Sequence, residues 1–144
     1  MPAKPLRLIP DVHRATHRIG IYLDSLGITQ GEGHILSQLA VSGDSTIAEL
    51  HRALAHRRST LTSILDRLAE RGYVTRESDP KDRRSFVVRL TKKGKSAAAR
   101  VHQALTEIEG KTLREATSQR LHSAVELLRT LETTAEKASK SKPK

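Results

Sequence analysis

The stretch Tyr73-Val74-Thr75-Arg76-Glu77-Ser78-Asp79-Pro80-Lys81-Asp82-Arg83-Arg84-Ser85-Phe86-Val87-Val88-Arg89-Leu90-Thr91 decides the fold. Residues 73–77 favour β structure, and residues 85–90 do so again, with Phe86, Val88 and Leu90 alternating onto one face. Turn formers lie between, opening with Asp79-Pro80. Pro80 fixes its own φ and bars the loop from continuing as strand. The spacing predicts a β-hairpin whose tip sets Lys81, Arg83 and Arg84 against Asp79 and Asp82. A basic tip can follow a nucleic-acid backbone or enter a narrow minor groove, where the negative potential attracts Arg. It can equally be a solvated tip whose charges keep a sheet edge soluble.

The segment before the hairpin weighs against the second reading. Residues 58–71 read as a helix, with Leu61, Ile64, Leu65 and Leu68 forming one apolar stripe. Its other side carries Ser59, Thr60, Thr62, Ser63, Asp66 and Arg67. A solvated helix face is usually rich in Glu and Lys; this one is rich in Ser, Thr and Arg. Short hydroxyls let a DNA backbone come close, and Arg can bond guanine in two places. Gly72 is suited to end the helix. The order is therefore a polar-faced recognition helix followed by a basic-tipped wing.

Two blocks carry a resemblance. Asp79-Pro80-Lys81-Asp82-Arg83-Arg84, followed by Val87-x-Arg89-Leu90-Thr91-x-x-Gly94, resembles the wing signature of the MarR family of bacterial winged-helix transcription factors. Asp66-Arg67-Leu68-x-x-Arg71-Gly72-Tyr73-Val74 resembles the end of that family's recognition helix. The element pattern extends the likeness over residues 11–138. It implies a mainly α fold with a small β-hairpin wing: a winged helix-turn-helix domain flanked by dimerisation helices.

Composition suits that class. In 144 residues there are three aromatics, Tyr22, Tyr73 and Phe86, so aliphatic side chains must make the core. The formal charge of +10 favours a polyanionic partner. It is focused: residues 57–100 carry 13 Lys and Arg against five Asp and Glu, while residues 11–56 carry three against five. A focused patch points to a docking face. No cysteine is present, which removes disulfides, thiolate metal sites and thiol oxidation sensing. No apolar run approaches the ~20 residues of a membrane span, and no secretory h-region follows Met1. The expected location is the cytoplasm, in association with the nucleoid.

Along the chain, residues 1–10 read as an extended arm, and a first helix spans 11–26 before Gly27. Thr29-x-x-Glu32 reads as a capping box opening a helix to about Val41, and Thr46-x-x-Glu49 as another opening a helix to about Ala53. The turn into the recognition helix lacks the common Gly, and its cap is open among His56, Arg57 and Ser59. Long amphipathic helices follow over 92–113 and 118–137. Their stripes need a partner. The domain expectation is an arm over 1–10, dimerisation helices over 11–28 and 92–138, a DNA-binding lobe over 29–91, and a basic disordered tail over 139–144.

The residues then take roles. Arg58, Ser59, Thr62 and Ser63 are the expected base readers, with helix capping the competing role for Ser59. Arg57, Thr60, Arg67, Lys81 and Arg89 are expected at the DNA backbone, Arg89 being equally suited to a solvated strand position. The resemblance implies that Asp82 holds the wing loop while Arg84, with Arg83, enters the minor groove. It also implies a homodimer on a pseudo-palindromic double-stranded operator, acting as a repressor released by a small aromatic or anionic effector. His13, His17, Arg18, Tyr22 and Arg52 are the residues expected to line the effector pocket, with plain helix-surface placement equally open. No cofactor is expected. Metal-sensing relatives use His and carboxylates on the second and fifth helices; here only His34 and His102 fall there, so no metal site is assigned. A metal-responsive regulator of this fold, a non-specific architectural or RNA-binding protein, and a protein-binding winged helix are the alternatives. An enzyme is not expected: no Gly-rich phosphate loop, nucleophile elbow or His-Glu-x-x-His pattern occurs.

Overall fold

The computed structural model describes residues 1–141. Its contacts divide into two units, one from Met1 to Ala104 and one from Leu105 onward. In the first lie helices α1 (Ile9–Ser25), α2 (Gln30–Ser42), α3 (Ile47–Leu54) and α4 (Arg58–Glu70), with strands β1 (Ser45–Thr46), β2 (Val74–Asp79) and β3 (Asp82–Leu90). Helix α5 (Lys92–Leu113) opens in the first unit and ends in the second, where α6 (Ser118–Ser141) follows. No helix among the described residues is long and apolar enough to cross a membrane.

Local chemistry sets most boundaries. Pro10 sits in the first turn of α1, where a missing N–H costs nothing, so the helix starts two residues earlier than expected. Thr46 and Glu49 complete a capping box on α3. Thr29 caps α2 through the amide of Glu32 at 3.3 Å, but the Glu32 carboxylate turns inward instead of closing a box. The turn without Gly is made by Ala55, which takes the left-handed conformation at φ +55°. Arg57 becomes the N-cap of α4, with no side-chain cap, so Ser59 lies inside the helix and is not its cap. Leu61, Ile64, Leu65 and Leu68 are all buried, as their spacing requires.

The hairpin departs from expectation in two ways. Its strands run closer to the tip, leaving only Pro80 and Lys81 between them. Asp79 Oδ1 accepts from the Lys81 amide at 2.9 Å and Asp82 Oδ1 from the Arg84 amide at 3.0 Å, so the acids tighten the turn. The sheet also has a third strand: β1 pairs antiparallel with β3, Ser45 opposite Val88, in the order β1-β3-β2. On the expected apolar face Val88 is fully buried, while Phe86, near the tip, is 48% exposed.

The core of the first unit is aliphatic. Leu23, Ile35, Leu36, Leu50, Leu61, Leu65, Leu68, Val88 and Val101 are sealed from solvent. Helix α6 buries nothing: Leu121, Leu127 and Leu128 stay exposed. It also runs through Ser141, so the tail expected to be disordered from 139 is helical that far. A Glu136–Lys140 pair one turn apart supports this end. The rest of that tail, 142–144, lies outside the described residues.

The base of the hairpin is closed by Thr91, whose amide donates to the Tyr73 carbonyl at 3.0 Å and whose hydroxyl donates to the Gly72 carbonyl at 2.6 Å. Gly94 packs directly on this joint; a Cβ there would lie 1.8 Å from the Tyr73 carbonyl oxygen. Backbone cannot yield as a side chain does. Gly94→Ala is therefore expected to destabilise by about 1–3 kcal/mol or more, read as a lowered melting temperature; an unchanged melt would show that this joint has room for a side chain.

Candidate nucleic-acid interface

The first half of α4 turns Arg58, Ser59, Thr60, Thr62 and Ser63 outward because the apolar stripe takes the opposite face inward. Helical spacing sorts them onto two flanks. Arg58 and Thr62 border a cleft of about 700 Å³ between α3, α4 and the wing, which Asp82, Arg84 and Phe86 also line. Ser59, Thr60, Ser63 and Arg67 border a second cleft, of about 800 Å³, facing α2 and the end of α1.

The arginines fall into two classes. Arg71 donates to Glu32 at 2.8 Å, Arg76 lies 2.7 Å from Asp66, and Arg89 lies 3.4 and 3.5 Å from Asp44 and Glu77. Arg67 donates to Ser63 Oγ at 3.1 Å and lies 3.8 Å from Glu32. Arg57, Arg58, Lys81, Arg83 and Arg84 have no carboxylate partner among the described residues. These five cations cluster at the start of α4 and at the wing tip. Each keeps its full charge for an outside anion, whereas the paired arginines have part of theirs cancelled at home.

The residues expected at an effector pocket are not gathered in the single chain. Arg52 lines the cleft between α3 and the wing. His13, His17, Arg18 and Tyr22 lie exposed on α1, the two imidazoles 5.3 Å apart between ring centres. His102 bonds Ser37 at 2.9 Å, and His122 pairs with Glu126 at 3.2 Å. Among the described residues no three of His, Asp and Glu converge as metal ligands would. Sequence reading missed the inward turn of Glu32. Its spacing from Thr29 fits a cap equally well, and its arginine partners are about 35–39 residues away. The only signal for it was two arginines one turn apart, Arg67 and Arg71, at the end of α4.

A model of the MarR family matches residues 28–86. The multiple antibiotic resistance protein MarR of Salmonella typhimurium is 34% identical over 98 residues, covering 67% of this chain and 68% of that protein. The transcriptional repressor IacR of Pseudomonas putida is 30% identical over 128 residues, covering 86% and 77%. The chain belongs to the MarR family. Among solved structures, a mutant of Escherichia coli MarR complexed with operator DNA superposes with a TM-score of 0.70 at 28% identity, over 87% of this chain and 91% of that one. As a MarR-family member, the protein is a transcriptional regulator that binds DNA and not an enzyme.

One titratable group in the second cleft has a shifted equilibrium. His34 is half-buried on α2, and burial first, then repulsion from His56, holds its pKa below the ordinary His value. Asp24 and Arg67 line the same cleft. Because the folded state resists protonation here, it binds fewer protons than the unfolded chain as pH falls past about 6.5. Stability is thus lost on acidification. The melting temperature is expected to fall between about pH 7 and pH 5, and to fall less in His34→Gln; equal falls in both proteins would remove His34 from the account.

Proposed function

We propose that the protein is a homodimeric repressor that reads a pseudo-palindromic operator. In this reading α4 enters the major groove and the wing the adjacent minor groove. The observation that carries it is the common cleft of Arg58, Thr62, Asp82 and Arg84: helix and wing present to one space a short hydroxyl and two arginines that have no carboxylate partner among the described residues. Arg58, Ser59, Thr62 and Ser63 read base edges. Arg57, Thr60, Lys81 and, with part of their charge compensated within the chain, Arg67 and Arg89 meet phosphates, which position without specifying. Asp82 holds the turn through the Arg84 amide, leaving the side chains of Arg83 and Arg84 to the minor groove. The likeness to an E. coli relative complexed with operator DNA, and to a P. putida repressor, supports this role.

The dimer rests on the unburied faces of the C-terminal helices, where Leu121, Leu127 and Leu128 stand exposed. A two-fold axis would set two copies of α4 about 34 Å apart, in successive major grooves. Residues 11–28 and 92–138 serve as the dimerisation part and 29–91 as the reading lobe. A small aromatic or anionic effector releases the operator; of the residues expected to meet it, Arg52 has a cleft of suitable size beside it. The site of action is the cytoplasm, at the nucleoid.

Enrichment of random duplex DNA on the purified protein at ~150 mM salt tests this reading, because that salt suppresses non-specific binding. A pseudo-palindrome with half-sites about one turn apart is expected. Patternless DNA would favour an architectural protein, and no retained DNA a protein-binding winged helix. Arg84→Ala should weaken the enriched duplex by about 1–3 kcal/mol with the dimer intact, measured by fluorescence anisotropy; unchanged affinity sinks the insertion of the wing. Leu128→Lys should give monomers in sedimentation, and a persistent dimer would move the interface elsewhere.

A further inference from the structure

Glu32 is a carboxylate sealed inside the lobe, its side chain 4% exposed. Its Oε1 accepts from the Thr29 hydroxyl at 2.9 Å, and its Oε2 from Arg71 Nη1 at 2.8 Å. Arg67 Nε lies 3.8 Å from Oε1. Arg71 extends the network: Nη2 donates to the Gly27 carbonyl at 3.0 Å and to the Tyr73 hydroxyl at 3.3 Å, and the guanidinium lies over the Tyr73 ring. One carboxylate thus ties the start of α2, the turn after α1, the last part of α4 and the root of the wing.

The apolar stripe decides which face of α4 is inward, but apolar contacts are non-directional and tolerate small rolls and slides. Charge-assisted hydrogen bonds are short and directional, and a buried carboxylate is costly once its partners move. Arg67 lies on the flank of α4 that carries Ser63 and Arg71 caps the C-terminal end of the same helix, so their hold acts on the helix that presents the polar face.

We propose that Glu32 is a positioning residue for DNA recognition. Acting through Arg71 and Arg67, it fixes the roll and depth of α4, and so the register in which Arg58, Ser59, Thr62 and Ser63 meet the bases. This rests on the base-reading assignment made above. It has a second consequence. By drawing on Arg67, Glu32 withholds a cation from the phosphates; neutralising it adds affinity that carries no sequence information.

The test compares the wild-type protein, Glu32→Gln, the double variant Glu32→Gln/Arg71→Gln, and Arg58→Ala. Each is titrated against two duplexes of equal length, one enriched from random DNA by the wild type and one with its bases shuffled. Glu32→Gln is expected to lower the ratio of the two affinities about tenfold. Its affinity for the shuffled duplex should be equal or higher, with a salt slope steeper by up to about one. The double variant should be no worse than Glu32→Gln alone, because both residues act through one network. An unchanged ratio, or a parallel loss on both duplexes, overturns the positioning role. If Glu32→Gln does not fold, the double variant carries the same readout, since it leaves neither charge of the pair unmatched. If neither folds, Glu32 serves stability alone and the proposal fails. Arg58→Ala separates the two layers. A ratio lowered by Arg58→Ala but not by Glu32→Gln sinks the positioning role only; a ratio unmoved by Arg58→Ala sinks the base-reading assignment beneath it.

Discussion

The close approach of Gly94 to the Tyr73 carbonyl governs how this lobe is assembled. Three elements meet there: the end of α4, the base of the wing and the start of α5. Thr91 bonds across the base of the hairpin to Gly72 and Tyr73, its hydroxyl also accepts from the Gly94 amide at 2.9 Å, and Lys93 donates to the Arg71 carbonyl at 2.9 Å. A side chain at position 94 would force these backbones apart. With Gly in place, helix and wing leave one joint and have little freedom to change their mutual angle. A two-stranded hairpin is marginal by itself. Here it gains a third strand at β1 and a covalent root packed under α5.

Electrostatics divides the work within a uniformly arginine-rich segment. Residues of one chemical type, on α4, its C-cap and the hairpin, are split by their neighbours into structural and available cations. Arg71, Arg76 and Arg89 each meet a carboxylate within the lobe. Arg58, Arg83 and Arg84 do not, among the described residues. A protein that paired all of them would lose its field, and one that paired none would repel itself and bind any polyanion.

Much of this was legible in the chain. The apolar stripe of α4, the capping box at Thr46 and the Gly72 stop are local, and each rests on residues close together in the chain. The wing was legible as a hairpin because its strands alternate around a Pro turn. Its length was not, because the acids that shorten the turn look like plain turn formers until their hydrogen bonds are seen. Strand β1 was illegible: two residues carry no periodicity, and they are strand only because β3 lies beside them. The left-handed Ala55 was equally hidden, since nothing in its identity favours φ above zero.

The family resemblance, the order of elements and the face of α4 that looks outward could all be read from the chain, because they follow from short-range periodicity and from contiguous motifs. Which arginines meet a carboxylate inside the lobe and which do not, and that Glu32 turns from a cap into a buried anchor, came from the tertiary structure alone. Those outcomes depend on pairs far apart in the chain or on burial. The physical reason is that a charge's role is set by its nearest opposite charge and its exposure to water, and neither is written in local spacing.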